Sequence, residues 1–144
     1  MSERTNGGAS VHVTTPESEV AQLADASRAH GPGELGALAC NLYDENPNLT
    51  EEEAYEAFIG WVESRGIELW PHQEEALMSI MVGDHVILGT PTGSGKSLVA
   101  LGMHFIAMCF GERSYYTAPI KALVSEKFFN LVDILGRENV GMIT

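Results

Sequence analysis

Cationic side chains are scarce: 8 Lys and Arg stand against 20 Asp and Glu, a formal net charge of −12 over 144 residues. Surfaces that gather nucleic-acid phosphates are usually basic, so the total argues against such a partner. The distribution alters that conclusion. Residues 1–80 hold 15 acidic against 3 basic side chains, whereas residues 81–144 hold 5 of each. The rear half is neutral, which permits phosphate contacts through backbone amides and a few cations. Cysteine is rarer still. Cys40 and Cys109 lie far apart, and Cys109 sits in an apolar run, a pattern that fits reduced, buried thiols and indicates no disulfide. No run of 18 apolar residues occurs, and the opening MSERTNGGAS lacks the apolar stretch of a secretory leader. No membrane partner is expected, and the cytoplasm is the expected location. His12 and His30 have no Cys or His companions at ligand spacing, which argues against a structural metal.

What the chain does have is organised around Thr90–Ser97, TPTGSGKS. The β-branched and apolar run Val86, Ile87, Leu88 precedes it, and a long apolar segment follows. A strand entering a Gly-rich turn, with Lys96 and Ser97 opening a helix, makes a cradle for an anion, because free backbone N–H groups and the positive helix end face the loop. Gly93 and Gly95 let amides approach phosphate oxygens, Lys96 reaches the β- and γ-phosphates, and the Ser97 hydroxyl can ligate Mg²⁺. The strict GxxxxGK[ST] spacing is not met, since its first glycine falls on Thr90 and Gly89 is one residue early. A Gly/Ser-rich surface turn is the competing reading. The strand-to-helix setting favours the phosphate loop.

Residues 1–16 are Ser/Thr/Gly-rich without periodicity and are expected to form a disordered tail. Residues 17–66 read as a helical, acidic accessory segment. Short helices are expected over Glu17–Ala29 and Glu34–Tyr43, with His30-Gly31-Pro32-Gly33 between them. Thr50 and Glu53 form a capping box for a third helix that buries Ala54, Phe58 and Val62 and ends at Arg65-Gly66. Glu51, Glu52 and Glu53 favour the positive helix end; as consecutive helical residues they diverge too much to hold a metal.

In IELWPHQEEALMSIMVG, residues 67–83, Pro71 suits a first helical turn and Gly83 an end. Ala76, Leu77, Ile80 and Met81 form the apolar face, and Gln73 falls on it. An inward amide needs partners, and adenine offers complementary ones; a solvated first-turn glutamine is the alternative. Trp70 and His72 flank it and could stack on a base, although a packed Trp70 is the simpler outcome. Leu98–Phe110 reads as a buried helix with His104 in the core, Ser114–Ala118 as a second strand ended by Pro119, and Val140–Thr144 as a third. Between them Val124, Phe128, Leu131, Val132 and Leu135 mark a half-exposed helix, with Glu126, Lys127, Asn130 and Asp133 on its polar side. Strand, loop, helix, strand, helix, strand predicts an α/β P-loop NTPase with a parallel sheet flanked by helices, preceded by the helical segment and incomplete as a domain.

Pro71 and Gln73, PTGSGKS at 91–97, YTAPIKALVSEKF at 116–128 and VGMIT at 140–144 together resemble the first RecA-like domain of superfamily-two DExD/H-box helicases. The superkiller-type RNA helicases and their bacterial relatives look like the nearest branch. The resemblance covers residues 67–144. It implies an ATP-dependent helicase that uses Mg²⁺, with Gln73 reading adenine and Thr92, Gly93, Ser94, Gly95, Lys96 and Ser97 forming the phosphate and Mg²⁺ loop. Lys96 is the implied catalytic residue. Thr90 stands where that family usually has alanine. Thr117, Ala118, Pro119, Lys121 and Ala122 match the block that touches the backbone of a single nucleic-acid strand; the branch resemblance favours RNA, and DNA stays open as the alternative. Small residues and a helix N-terminus suit contacts that read no base. The carboxylate pair and the second-domain arginines that such hydrolysis needs are not recognisable within residues 1–144, so the chain by itself is expected to bind nucleotide without turning it over. A non-catalytic truncated P-loop module and a P-loop kinase or transferase remain the alternatives.

Overall fold

The structure, a computed structural model, describes residues 16–88 and 95–143. The described residues form six helices: α1 (Pro16–His30), α2 (Glu34–Glu45), α3 (Glu51–Ser64), α4 (Pro71–Met81), α5 (Lys96–Cys109) and α6 (Lys121–Leu135), followed by a 3₁₀ turn at Arg137–Asn139. Local chemistry sets the starts of α3 and α4. At α3 the Thr50 hydroxyl accepts from the Glu53 amide at 3.1 Å, and the Glu53 carboxylate accepts from the Thr50 amide at 3.0 Å. Two otherwise unpaired donors are thereby satisfied at the helix start. Pro71 occupies the first turn of α4, where its missing N–H costs nothing, and Gly83 follows the helix with φ 90°.

Helix α5 is the centre of the packing. It contacts α1, α2, α3 and α4, and Leu98, Leu101, Phe105 and Cys109 are buried along it. Its nearly uniform apolar surface explains this placement: a helix without a polar face must be covered on several sides. Phe105 meets Phe58 of α3 with ring centroids 5.8 Å apart. Gly102 allows the close approach, since a Cβ there would lie 2.6 Å from a Leu77 methyl and 3.0 Å from the Phe58 ring. Burial pushes the Cys109 thiol up to about 12, as expected of an inert core thiol.

The front helices join the same body. Helix α1 packs on α5 and α6, and α2 on α5 and α6. A Cβ on Gly36 would fall 1.7 Å from the Leu135 carbonyl oxygen, and the Gly33 amide donates to the Asp133 carbonyl at 2.9 Å. The start of α2 therefore sits directly on the backbone that ends α6. Arg28 of α1 adds an ion pair to Asp133.

Two expectations change. The parallel sheet is not formed among the described residues: 84–88, 112–118 and 140–143 carry no regular secondary structure. A strand is held by backbone bonds to neighbours, and two or three short segments without flanking strands are marginal. The side chains agree, with Ile87 95% and Ile143 89% exposed. Trp70 is 62% exposed, its ring beside that of His72 at 6.2 Å and outside the core. The expectation of a disordered tail at residues 1–16 lies outside the described residues except at Pro16, which opens α1, and Thr92, Gly93 and Ser94 lie outside them too. No helix among the described residues is long and apolar enough to cross a membrane.

Candidate functional site

Helix α4 presents Gln73 from its first turn. Gln73 Oε1 reaches back to accept from the Trp70 amide at 2.7 Å, which caps the helix and fixes the side chain on the face shared with Ala76 and Leu77. The amide is fully buried, as its position on the apolar face predicts. Gln73 Nε2 donates to the Gly95 carbonyl at 3.2 Å and to Glu19 Oε1 of α1 at 3.4 Å. Both N–H groups are thereby engaged, so this amide can donate to a base only by giving up its longer bond, the one to Glu19. Burial raises the Glu19 carboxyl above its ordinary range, while the Gln73 bond and His72 act against that rise.

Gly95 caps α5 with φ 89°, a conformation that side chains other than glycine's disfavour. Its bare Cα also admits Gln73, because a Cβ would come within 1.7 Å of Nε2. The fold thus brings together two motifs 22 residues apart. Lys96 is exposed at the first position of α5, and Ser97 next to it is half-buried. Ser97 Oγ accepts from Lys127 Nζ of α6 at 3.1 Å.

Lys127 lies 6% exposed, against the expectation that it faces solvent with Glu126 and Asn130. Near Ser97, a cavity of about 10 Å³ is lined by Val20, Ser97, His104, Tyr116, Lys127 and Leu131 among others. That is room for about one water. His104 Nδ1 lies 2.6 Å from Ser114 Oγ, its Nε2 is buried with no partner, and burial lowers its pKa.

The residues fit a divalent cation in one respect. The Ser97 hydroxyl already directs a lone pair at a cation, the Lys127 ammonium. Among the described residues no cluster of three His, Cys, Asp or Glu side chains could hold a metal. A magnesium ion there would be held by Ser97 together with phosphate oxygens of a nucleotide.

On the opposite end of α6, Thr117, Pro119, Lys121 and Ala122 are exposed and Ala118 is half-buried. Ile120 is the extended residue before the helix, so the amides of Lys121 and Ala122 belong to the first turn, where no helical acceptor exists. Lys127 follows Lys121 by six residues, about 9 Å along the axis. A single helix therefore runs from the exposed block to Ser97.

Sequence reasoning missed Glu19 and the burial of Lys127. Glu19 stands four residues before Leu23 on α1, and that spacing placed it on the buried face. Nothing local marked Lys127, whose partner lies 30 residues upstream.

Known proteins are similar to about half of this chain. A DExH-box ATP-dependent RNA helicase, DExH15 of Arabidopsis thaliana chloroplasts, is 36% identical over 72 residues, 50% of this chain and 6% of its own length. The probable helicase HelY of Mycobacterium tuberculosis is 33% identical over 72 residues, 50% of this chain and 8% of its length. The ATP-dependent DNA helicase Hel308 of Thermococcus kodakarensis is 40% identical over 80 residues, 52% of this chain and 7% of its length. The chain thus spans under a tenth of the length of these relatives. No solved structure matches. The family model for the DEAD/DEAH box helicases matches residues 70–143, just over half of the sequence and every block from Trp70 to the last extended segment, and the chain belongs to that family.

Proposed function

We propose that this chain supplies the ATP-binding front of a nucleic-acid helicase, in which Gln73 reads adenine and residues 92–97 hold the phosphates. The observation that carries this reading is the bond from Gln73 Nε2 to the Gly95 carbonyl. It ties a buried glutamine to the residue that opens the Lys96-Ser97 helix, so a base read by one would place its phosphates at the other. Lys96 is exposed and adjacent, suited to meet phosphate charge, and Ser97 supplies a hydroxyl for Mg²⁺.

The resemblance to superkiller-type helicases and the similarity to an RNA helicase support RNA as the strand held by Thr117, Ala118, Pro119, Lys121 and Ala122. These small and exposed residues at the start of α6 suit backbone contacts. Residues 84–88, 112–118 and 140–143 are the strand segments of a RecA-like sheet on this reading, which gives Ile87 and Ile143 the neighbours their exposed surface calls for. Residues 17–66 act as a helical accessory segment. By itself the chain binds nucleotide without turnover.

The test is a titration with fluorescent ATP and GTP analogues in the presence of Mg²⁺. The wild-type chain should bind the adenine nucleotide more tightly, and Lys96→Ala should weaken both by about tenfold or more, the scale of losing a charge-assisted phosphate contact. Equal binding of both nucleotides by wild type and Lys96→Ala would defeat the proposal. Competition between RNA and DNA oligonucleotides of one sequence then decides the strand.

A further inference from the structure

The contact between Lys127 and Ser97 does not belong to the reading above, and it sits at its most sensitive point. Lys127 is 6% exposed, and its Nζ donates to Ser97 Oγ at 3.1 Å. Burying an ammonium is unfavourable unless acceptors surround it. The place is also electrostatically poor for a cation: Ser97 is in the first turn of α5, at the positive end of the helix, beside Lys96. A positive charge held there is poised to exchange for one that arrives with its own anion.

We propose that Lys127 is a positioning residue that occupies the Ser97 hydroxyl in the nucleotide-free protein and is displaced when Mg²⁺ enters with a nucleotide. This rests on the nucleotide reading of residues 92–97. Ser97 Oγ has two lone pairs, but an ammonium and a magnesium ion held on the same oxygen would repel strongly. Metal entry therefore requires Lys127 to withdraw from Ser97. Lys127 is carried by α6, whose first turn holds Lys121 and Ala122. Its withdrawal transmits the arrival of the metal to the end of the helix that meets the nucleic acid. By linkage, a strand that favours the withdrawn position of α6 also favours Mg²⁺ binding.

The experiment titrates Mg²⁺ against the chain at fixed fluorescent ATP analogue, in wild type, Lys127→Met, Lys127→Gln and Lys127→Arg, each with Ser97 and with Ser97→Ala. Methionine matches the length of the buried stem, and glutamine serves if that variant folds poorly by circular dichroism. Removing the competing charge should lower the Mg²⁺ midpoint by about fivefold or more, the lower end of ordinary coupling strengths. Lys127→Arg should behave as wild type, and the difference should vanish in the Ser97→Ala background, as a direct interaction requires. An unchanged or raised midpoint in both Lys127→Met and Lys127→Gln overturns the inference alone, provided that nucleotide binding still depends on Lys96. Absence of nucleotide binding in the wild type overturns the nucleotide reading and this inference together.

Discussion

Gln73 Nε2 donates to the Gly95 carbonyl at 3.2 Å, and a methyl group on Gly95 would lie 1.7 Å from that same nitrogen. The two residues are matched so closely that neither tolerates a larger partner. Helix α4 and the start of α5 meet at this point, and the amide that forms the junction is also the group proposed to read adenine.

Gly95→Ala should therefore fail twice. The positive φ strains any side chain by roughly 1–3 kcal/mol, and the added methyl expels Gln73 from its seat. Urea unfolding should show the loss of stability. Adenine selectivity should disappear in the nucleotide titration even where the variant remains folded.

Glu19 gives a pH-dependent prediction. Its folded-state pKa is raised, chiefly by burial, so the native state holds a proton more readily than the unfolded chain does. Its contribution to stability is fully present below the ordinary carboxylate value and is lost as pH rises through the raised one. Denaturation midpoints followed across that window should fall with rising pH in the wild type. Glu19→Gln should remove this component and leave the Gln73 contact available to an amide oxygen.

His104 has the opposite sign. Burial lowers its folded-state pKa, so stability is fully present above the ordinary imidazole value and is lost as pH falls through the lowered one. Protonation would place a charge beside an Nε2 that has no partner. Thermal melts on the acid side of neutrality should drop in the wild type, and His104→Asn, though less stable at neutral pH, should show a flatter profile.

Thr50→Ala tests a purely structural claim. It removes the hydroxyl that accepts from Glu53 and should cost about 1 kcal/mol of stability. Nucleotide titration should be unchanged, because α3 packs on α4 and α5 and none of the residues proposed to meet a ligand lies on it.

What the sequence revealed and what it concealed divide by distance along the chain. The helix starts at Thr50 and Pro71 were legible because a cap is written within four residues. The inward face of Gln73 was legible because it shares a helical stripe with Ala76 and Leu77. Lys127 was misplaced because its burial depends on Ser97, which no local pattern couples to it. The exposure of Trp70 follows from the same limit: its neighbours fix the backbone of the helix start, not what covers the indole. The segments expected as strands show the limit most fully, since a strand exists only where another chain segment accepts its hydrogen bonds. The family match from Trp70 onward drew on order and spacing, which survive whether or not those segments pair.

Gly36, pressed against the Leu135 carbonyl, and Gly33, bonded to Asp133, fasten the foot of α6 to α2, while the exposed Lys121 and Ala122 mark its head. The helices before residue 66 thus anchor the foot of α6, and a bulkier residue at position 36 would disturb that anchor without touching the groups proposed to meet a ligand.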